Sequence, residues 1–395
     1  MTLWSDTLTP IARTVGLLQS KGEASMSYES HAEPIKLGYL FDFLLPDGFP
    51  KEMRDNLIQP FELVFKEGLE GGVIDRAVEI VFREVEGLPK GSAKAVVDAY
   101  AELVDEGCLA VFGPAITDNA VPTREAIEQR FHVPAISVTG TDDWLGEWTF
   151  ALPQGSMTDE PIFWADLLAK GGHIEVGAII EQSLIGESYI RNFRKACVAQ
   201  GIRVVAEEWI AQTAQEVGDA VRKLYEAKPT AIVHCGFGFG VVHVNPALEA
   251  LGWDPPRFMG TAFQNAWIND VMWNAILGWI GLDQYDEGNL VGQRFLDQYH
   301  AAYGRRPEFC APVVNRDLAT VLLHAFADAH PLTPRGVKEA LERVKMLPAA
   351  SGAPGTRLSF GKWTRRGWMG AGYLVARRLD SDGISSHLVA RFGQE

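Results

Sequence analysis

Apolar and polar positions along the chain follow two periods, and the two periods take turns. From Ile35 onward, short apolar runs of strand length alternate with longer stretches in which apolar residues recur every third or fourth position. Residues 35–41 (IKLGYLF) read as a first, buried strand, followed by a turn over 45–50 and a helix over 51–68. Residues 77–82 alternate as a second strand. Ser92 is placed to cap a helix in which Val96, Ala99, Tyr100 and Leu103 share one face. A short strand at 109–112 ends at Gly113-Pro114, a helix covers 119–130, and a strand covers 134–138. The order then repeats, with helices at 159–170, 187–200, 216–227 and 243–252 and strands at 175–180, 203–206, 231–234 and 258–260.

Short strands joined by helices of about ten or more residues belong in parallel α/β sheets. The two runs, 35–150 and 160–265, predict two doubly wound parallel-sheet lobes. The C-terminal part departs from this, with helices expected at 287–303, 314–329 and 334–346. Strand-like segments at 355–360, 372–377 and 387–392 then suggest an antiparallel, hairpin-rich tail. Trp273, Ile276 and Ile280 recur at helical spacing and read as a buried helix face.

Composition narrows the function. Lys and Arg number 36 against 51 Asp and Glu, a net charge of −15 over 395 residues. So acidic a chain repels phosphate, and nucleic acid is not expected as a partner. The most basic stretch, Lys362–Arg366, reads as a solvated turn. The first 30 residues contain no apolar core of a secretory signal: Val15–Leu18 is too short and lies between Arg13 and Lys21. Starting at Met26 would not supply one either. As written, the chain is expected in the cytoplasm, with residues 1–33 flexible. No apolar run approaches the roughly 18 residues of a membrane span.

Recognisable catalytic patterns are missing: GxxxxGK[ST], GxSxG, HExxH and the EF-hand loop are all absent. Gly236-Phe237-Gly238-Phe239-Gly240 follows a strand, but a dinucleotide loop needs a third glycine where Val241 stands. Cys108, Cys197, Cys235 and Cys310 are too far apart for a zinc cluster and read as small buried hydrophobes. His234 and His243 read as hydrogen-bonding or pocket-lining residues rather than metal ligands. Asp142, Asp143 and Glu147 read as a solvated turn rather than an acid/base pair. No enzyme activity, metal or cofactor is expected.

Ligands of open parallel sheets bind beyond the carboxyl ends of the strands. Those ends carry Phe41-Asp42-Phe43, Thr117-Asp118-Asn119, Gly140-Thr141, Ser183-Leu184-Ile185, Phe237 and Ala262-Phe263-Gln264. Helices begin just after several of them, and their free N–H groups suit a carboxylate or an amide oxygen. Each residue also has a plainer reading: Phe41 and Phe43 as core, Thr117 and Asn119 as helix caps, Gly140 as a turn. Trp144 and Trp148 read equally as a lid or as packing.

Several of these segments, in this order and spacing, resemble the type I periplasmic-binding-protein family, in particular its branched-chain amino-acid and amide-binding group. They are IKLGYLFDF at 35–43, GPAIT at 113–117, VPAISVTGT at 133–141, IGESY at 185–189, FMGT at 258–261 and the tail strands. The resemblance spans 34–392. It implies a first lobe from 34–150 plus 285–330, a second from 156–265 plus 336–395, and hinge crossovers at 151–155, 266–284 and 331–335. It also implies capture of a small molecule by hinge closure, without chemistry. The implied contacts are Phe41, Asp42, Thr117, Asp118, Asn119, Gly140, Thr141, Ile185, Phe237, Ala262, Phe263 and Gln264. The family further implies an ABC importer permease as partner and a periplasmic or envelope location. A cytoplasmic sensor resembling the amide-sensing regulators is the alternative.

Two departures alter the expected ligand. Amino-acid-binding members usually have a Tyr where Ile185 stands, and an acid for the ligand's ammonium after the strand near 258–260, where this chain reads Thr261-Ala262-Phe263. Only Asp118 is expected nearby, and an unpaired buried ammonium is costly. A zwitterionic amino acid is therefore not expected. The expected ligand is an organic acid or amide, with an apolar or aromatic body against Phe237, Phe239, Phe263 and Trp267. Its polar end would meet Gly140, Thr141 and backbone N–H groups.

Overall fold

Strand β1 (Ile35–Phe41) points its side chains alternately into two apolar layers. Leu37, Tyr39 and Phe41 join a cluster with Phe61, Phe65 and Phe326, while Leu40 joins Val96, Tyr100 and Leu103. A strand buried on both faces is what a continuous apolar run encodes. The computed structural model describes residues 33–43 and 51–394; the turn expected at 45–50 and the N-terminal segment through residue 32 lie outside them.

The first sheet is built by β1, α1 (Lys51–Glu70), β2 (Val78–Glu84), α2 (Ala93–Asp105), β3 (Ala110–Phe112), α3 (Thr117–Ala126), β4 (Ala135–Ser137) and β5 (Thr149–Ala151). Its strand order is β2-β1-β3-β4-β5, all parallel. Ser92 does cap α2, its hydroxyl accepting from the Ala95 N–H at 3.2 Å. β5 was not anticipated, because a three-residue Thr-Phe-Ala strand carries no readable period.

The second sheet takes α4 (Glu160–Lys170), β6 (Glu175–Glu181), α5 (Leu184–Ala199), β7 (Arg203–Ile210), α6 (Gly218–Ala227), β8 (Ala231–Cys235), α7 (Val244–Ala250), β9 (Arg257–Met259), α8 (Asp270–Ile276) and β10 (Trp279–Asp283). The chain then passes through α9 (Leu290–Tyr303), α10 (Cys310–Asp328), α11 (Pro334–Leu341), a small pair β11 (Leu347–Pro348) and β12 (Arg357–Leu358), and ends in β13 (Val375–Leu379) and β14 (Ser386–Arg391). The second sheet has the order β14-β13-β10-β9-β8-β6-β7. Its last two strands are antiparallel, as the hairpin-rich tail predicts.

The stretch 266–284, read as a crossover, contains α8 and β10. Trp273 and Ile276 lie buried on α8 as expected, but Gly278 at φ +88° turns the chain, and Ile280 stands on a strand. α11 packs its Val337, Ala340 and Leu341 into the core against α10, and α10 in turn lies along α1. The chain thus returns to the second sheet through 349–373, later than the expected crossover at 331–335.

Lys362–Arg366 is only partly a solvated turn. Trp363 is 88% exposed, but Arg365 binds Glu342 at 2.7 Å and Arg366 binds Asp159 at 3.1 Å. Trp144 is buried and donates to the Phe150 carbonyl at 2.8 Å, which is a packing role. All four cysteines are buried free thiols. No helix among the described residues is long and apolar enough to cross a membrane.

Candidate functional site

The carboxyl ends of the two sheets open onto a common, narrow cavity. The first lobe supplies Ala115, Thr117 and Gly140, the first crossover supplies Gln154 and Gly155, and Met157 follows just after it. The second lobe supplies Ile185 and Tyr189 from the start of α5, Gly236 and Phe237 after β8, and Thr261, Ala262, Gln264 and Asn265 after β9. Of the twelve residues expected at the site, Thr117, Gly140, Ile185, Phe237, Ala262 and Gln264 are brought together here.

The other six lie elsewhere. Phe41 is buried in the core against Phe43 and Phe82, with ring centroids 4.6 and 6.5 Å away. Asp42 is fully buried and turned away from the cavity. Its carboxylate accepts from the Ala115 and Ile116 N–H groups at 2.8 and 3.1 Å and from Asn119 Nδ2 at 2.9 Å. Burial pushes its carboxyl up to about 6 despite those bonds. Asn119 is equally committed, because its Oδ1 accepts from the Leu88 N–H at 2.8 Å. Thr141 caps a short turn by accepting from the Asp143 N–H at 3.2 Å. Phe263 is wedged under β10, where a Cβ on Gly281 would lie 2.2 Å from its ring. Trp267 stacks on Phe309 at 4.9 Å, away from the cavity lining.

Asp118 spans the cleft. Its Oδ1, at the start of α3, accepts from the Leu184 N–H at the start of α5 at 3.1 Å. Burial raises its carboxyl above the ordinary range. Above this bond the lobes meet through rings: Phe43 lies 5.6 Å from Phe237 and 6.2 Å from Phe239. Beside the rings is a second, open chamber, lined by Phe43, Phe239, Val242 and Ala214 among others. The three phenylalanines therefore stand between an inner cavity of mixed polar and apolar lining and a mainly apolar outer one.

The glycine-rich loop has an internal explanation. Glu181, at the end of β6 and fully buried, accepts from the N–H groups of Phe237, Gly238 and Gly240 at 2.7, 3.0 and 3.2 Å. A Cβ on Gly236 would lie 2.4 Å from the Glu181 Cδ. The glycines let the backbone wrap a carboxylate of the same chain, as such loops elsewhere wrap a phosphate. His234 is buried beside it, its Nε2 3.3 Å from Glu181 Oε1. Among the described residues, no three His, Cys, Asp or Glu side chains converge as metal ligands.

Tyr189, Thr261, Gln154 and Glu160 were missed from the sequence. Tyr189 lies one helical turn after Ile185, on the same face of α5, and lines the same cavity. Glu160 overturns the expectation that Asp118 is the one acid near β9. It is fully buried at the start of α4, and it accepts from the Tyr189 hydroxyl at 2.6 Å and from the N–H and hydroxyl of Thr261. Burial pushes its carboxyl up to about 7. The i, i+4 phase of α5 could have revealed Tyr189. Nothing local signals Glu160, which reaches β9 across about 100 residues of sequence.

A family model for periplasmic binding proteins matches residues 34–371. Comparison with curated proteins returns no match. Among solved structures, a type 1 periplasmic binding protein from Bordetella pertussis Tohama I is similar at a TM-score of 0.76 and 19% identity, over 91% of this chain and 100% of the other. A leucine binding protein from Thermotoga maritima has a TM-score of 0.73 and 15% identity, over 90% and 98%. A Desulfitobacterium hafniense ABC transporter substrate-binding protein, solved in complex with Leu, has a TM-score of 0.72 and 18% identity, over 90% and 100%. These likenesses share the two-lobed α/β architecture described above. The chain belongs to the periplasmic binding protein family.

Proposed function

We propose that the chain captures a small, partly apolar or aromatic organic acid or amide in the cleft between its lobes, by hinge closure and without chemistry, for delivery to an ABC importer. The observation that carries this reading is the cavity itself, where both sheets contribute residues from beyond their strand ends to one space that mixes polar and apolar groups. A polar head suits Thr117, Gln154, Thr261, Gln264 and Asn265, while the Phe43–Phe237–Phe239 wall and the outer chamber suit an apolar body. Family membership supports a permease partner and a periplasmic or envelope location. The lobes follow the two sheets, and the remaining expected contacts, Asp42 and Asn119 above all, act by holding the loops from behind.

A thermal-shift screen tests this. The panel contains branched-chain and aromatic amino acids, short amides, and aromatic and longer apolar acids. A ligand at about 100 times its Kd stabilises by roughly 2.7 kcal/mol, which raises the melting temperature by a few degrees. Shifts with apolar amides or acids, and none with leucine, are expected. A shift with leucine alone overturns the ligand class, and no shift with any compound overturns the cleft reading.

A further inference from the structure

We infer that Glu160, although it does not itself line the cavity, fixes which hydrogen-bonding groups the cavity presents, and that it thereby selects a carboxamide head over a carboxylate. This rests on the cleft being the ligand site, as proposed above.

A carboxylate can only accept hydrogen bonds. Glu160 accepts from the Tyr189 hydroxyl at 2.6 Å, the Thr261 N–H at 3.2 Å and the Thr261 hydroxyl. Each hydroxyl has one proton, and Glu160 takes both. Tyr189 and Thr261 also line the cavity, so all they can offer a ligand is lone pairs. The opposite polarity comes from two amides in the same lining. Gln154 Nε2 is a buried donor without a partner. Gln264 Oε1 accepts from the Cys310 thiol at 3.3 Å, which leaves its NH₂ group for the cavity.

The lining thus sets two hydroxyl oxygens that can only accept, joined by the Asn265 side-chain carbonyl, whose amide nitrogen donates to the Phe237 carbonyl, against two donor nitrogens. A carboxamide matches both: its N–H groups meet the oxygens, and its carbonyl meets the amide donors. A carboxylate would set lone pairs against lone pairs and bring a second negative charge towards Glu160. The burial that raises the Glu160 carboxyl acts in the same sense, because an N–H donor near it favours the ionised form and an anion opposes it.

Isothermal titration of the full chain at pH 8 with matched pairs tests the inference: acetamide and acetate, butyramide and butyrate, phenylacetamide and phenylacetate. The amide of a pair should bind about tenfold or more tightly than its acid, the worth of one mismatched hydrogen bond. In Glu160→Gln the new side-chain amide can donate, one hydroxyl proton turns towards the cavity, and the preference should narrow to about threefold or less. The melting temperature of the free protein should stay within a few degrees of the wild type. Tyr189→Phe removes one of the two hydroxyl oxygens, should narrow the preference as well, and gives the readout if Glu160→Gln does not fold. Equal or tighter binding of the acids by the wild type overturns the head assignment alone, as does a preference unchanged in both variants. Binding of neither member of any pair overturns the cleft reading and the inference with it.

Discussion

Three of the carboxylates fully buried beside the strand ends are each held differently. Asp42 takes two backbone N–H groups and Asn119, Glu181 takes three N–H groups of the glycine loop, and Glu160 takes two hydroxyls and an N–H. A buried charge stands only where such bonds offset its desolvation. Asp42→Ala would leave the Ala115 and Ile116 N–H groups and the Asn119 amide without their acceptor. A loss of about 2–4 kcal/mol is expected, read as a lower urea midpoint; an unchanged midpoint would mean that the loops have other partners. Thr117, Gly140 and Gln264 were legible as cavity-lining residues because they lie in the segments that lead out of strand ends, where the parallel-sheet rule points. Asp42 follows one too, but its side chain turns back towards the neighbouring loop, and a linear reading does not give that direction. Tyr189 and Glu160 needed helix phase and a contact between distant segments.

At the scale of elements, the loop after β8 and the starts of α3 and α5 do the positioning. Gly236→Ala would drive a Cβ to within 2.4 Å of the Glu181 Cδ. Overpacking of this kind costs about 1–3 kcal/mol and should displace Phe237, so thermal denaturation and ligand affinity should both decline. Asp118→Ala removes the bond to Leu184 between the lobes while leaving each lobe's own core intact. Affinity for the ligand found in the thermal-shift screen should fall several-fold, and the radius of gyration in solution scattering should rise, with little change in unfolding temperature. Equal radii for variant and wild type would remove the bond from any part in closure. The long, strongly periodic elements were legible. β5 and β10 were not, since Thr-Phe-Ala is too short for a period, and Ile280 continues the spacing of α8 across the Gly278 turn.

For the whole molecule, buried acids set the response to pH. Asp42 and Asp283 are each pushed by burial up to about 6 and Glu160 up to about 7, all above their values in an unfolded chain. Between about pH 4 and pH 7 the folded chain therefore holds protons that the unfolded chain has released, and stability falls as pH rises. The net charge of −15 pushes the same way. Glu287 and Glu342, lowered by their Arg and Lys partners, act oppositely, but only below about pH 4.5. The free protein should melt several degrees higher at pH 5 than at pH 7.5; a flat or rising profile would show that these carboxyls are ionised in the folded chain at pH 5. The two-sheet plan was readable because alternating strands and helices survive any local error. The third passage between the sheets was not, because 349–373 is mostly turns without a period.

The three passages between the lobes share one atom. The Pro153 carbonyl oxygen, on the first, accepts from Gln284 Nε2 on the second at 2.7 Å and from Trp368 Nε1 on the third at 3.0 Å. Linkers fastened at a common point resist sliding and splaying more than they resist rotation, so under the proposed hinge closure the lobes would move as jaws on a pin. Jaws of this kind vary their gape at the rim and hardly at the pivot. The protein should therefore tolerate ligands that differ in their outer, apolar portion, while discriminating sharply at the inner end beside Gln154.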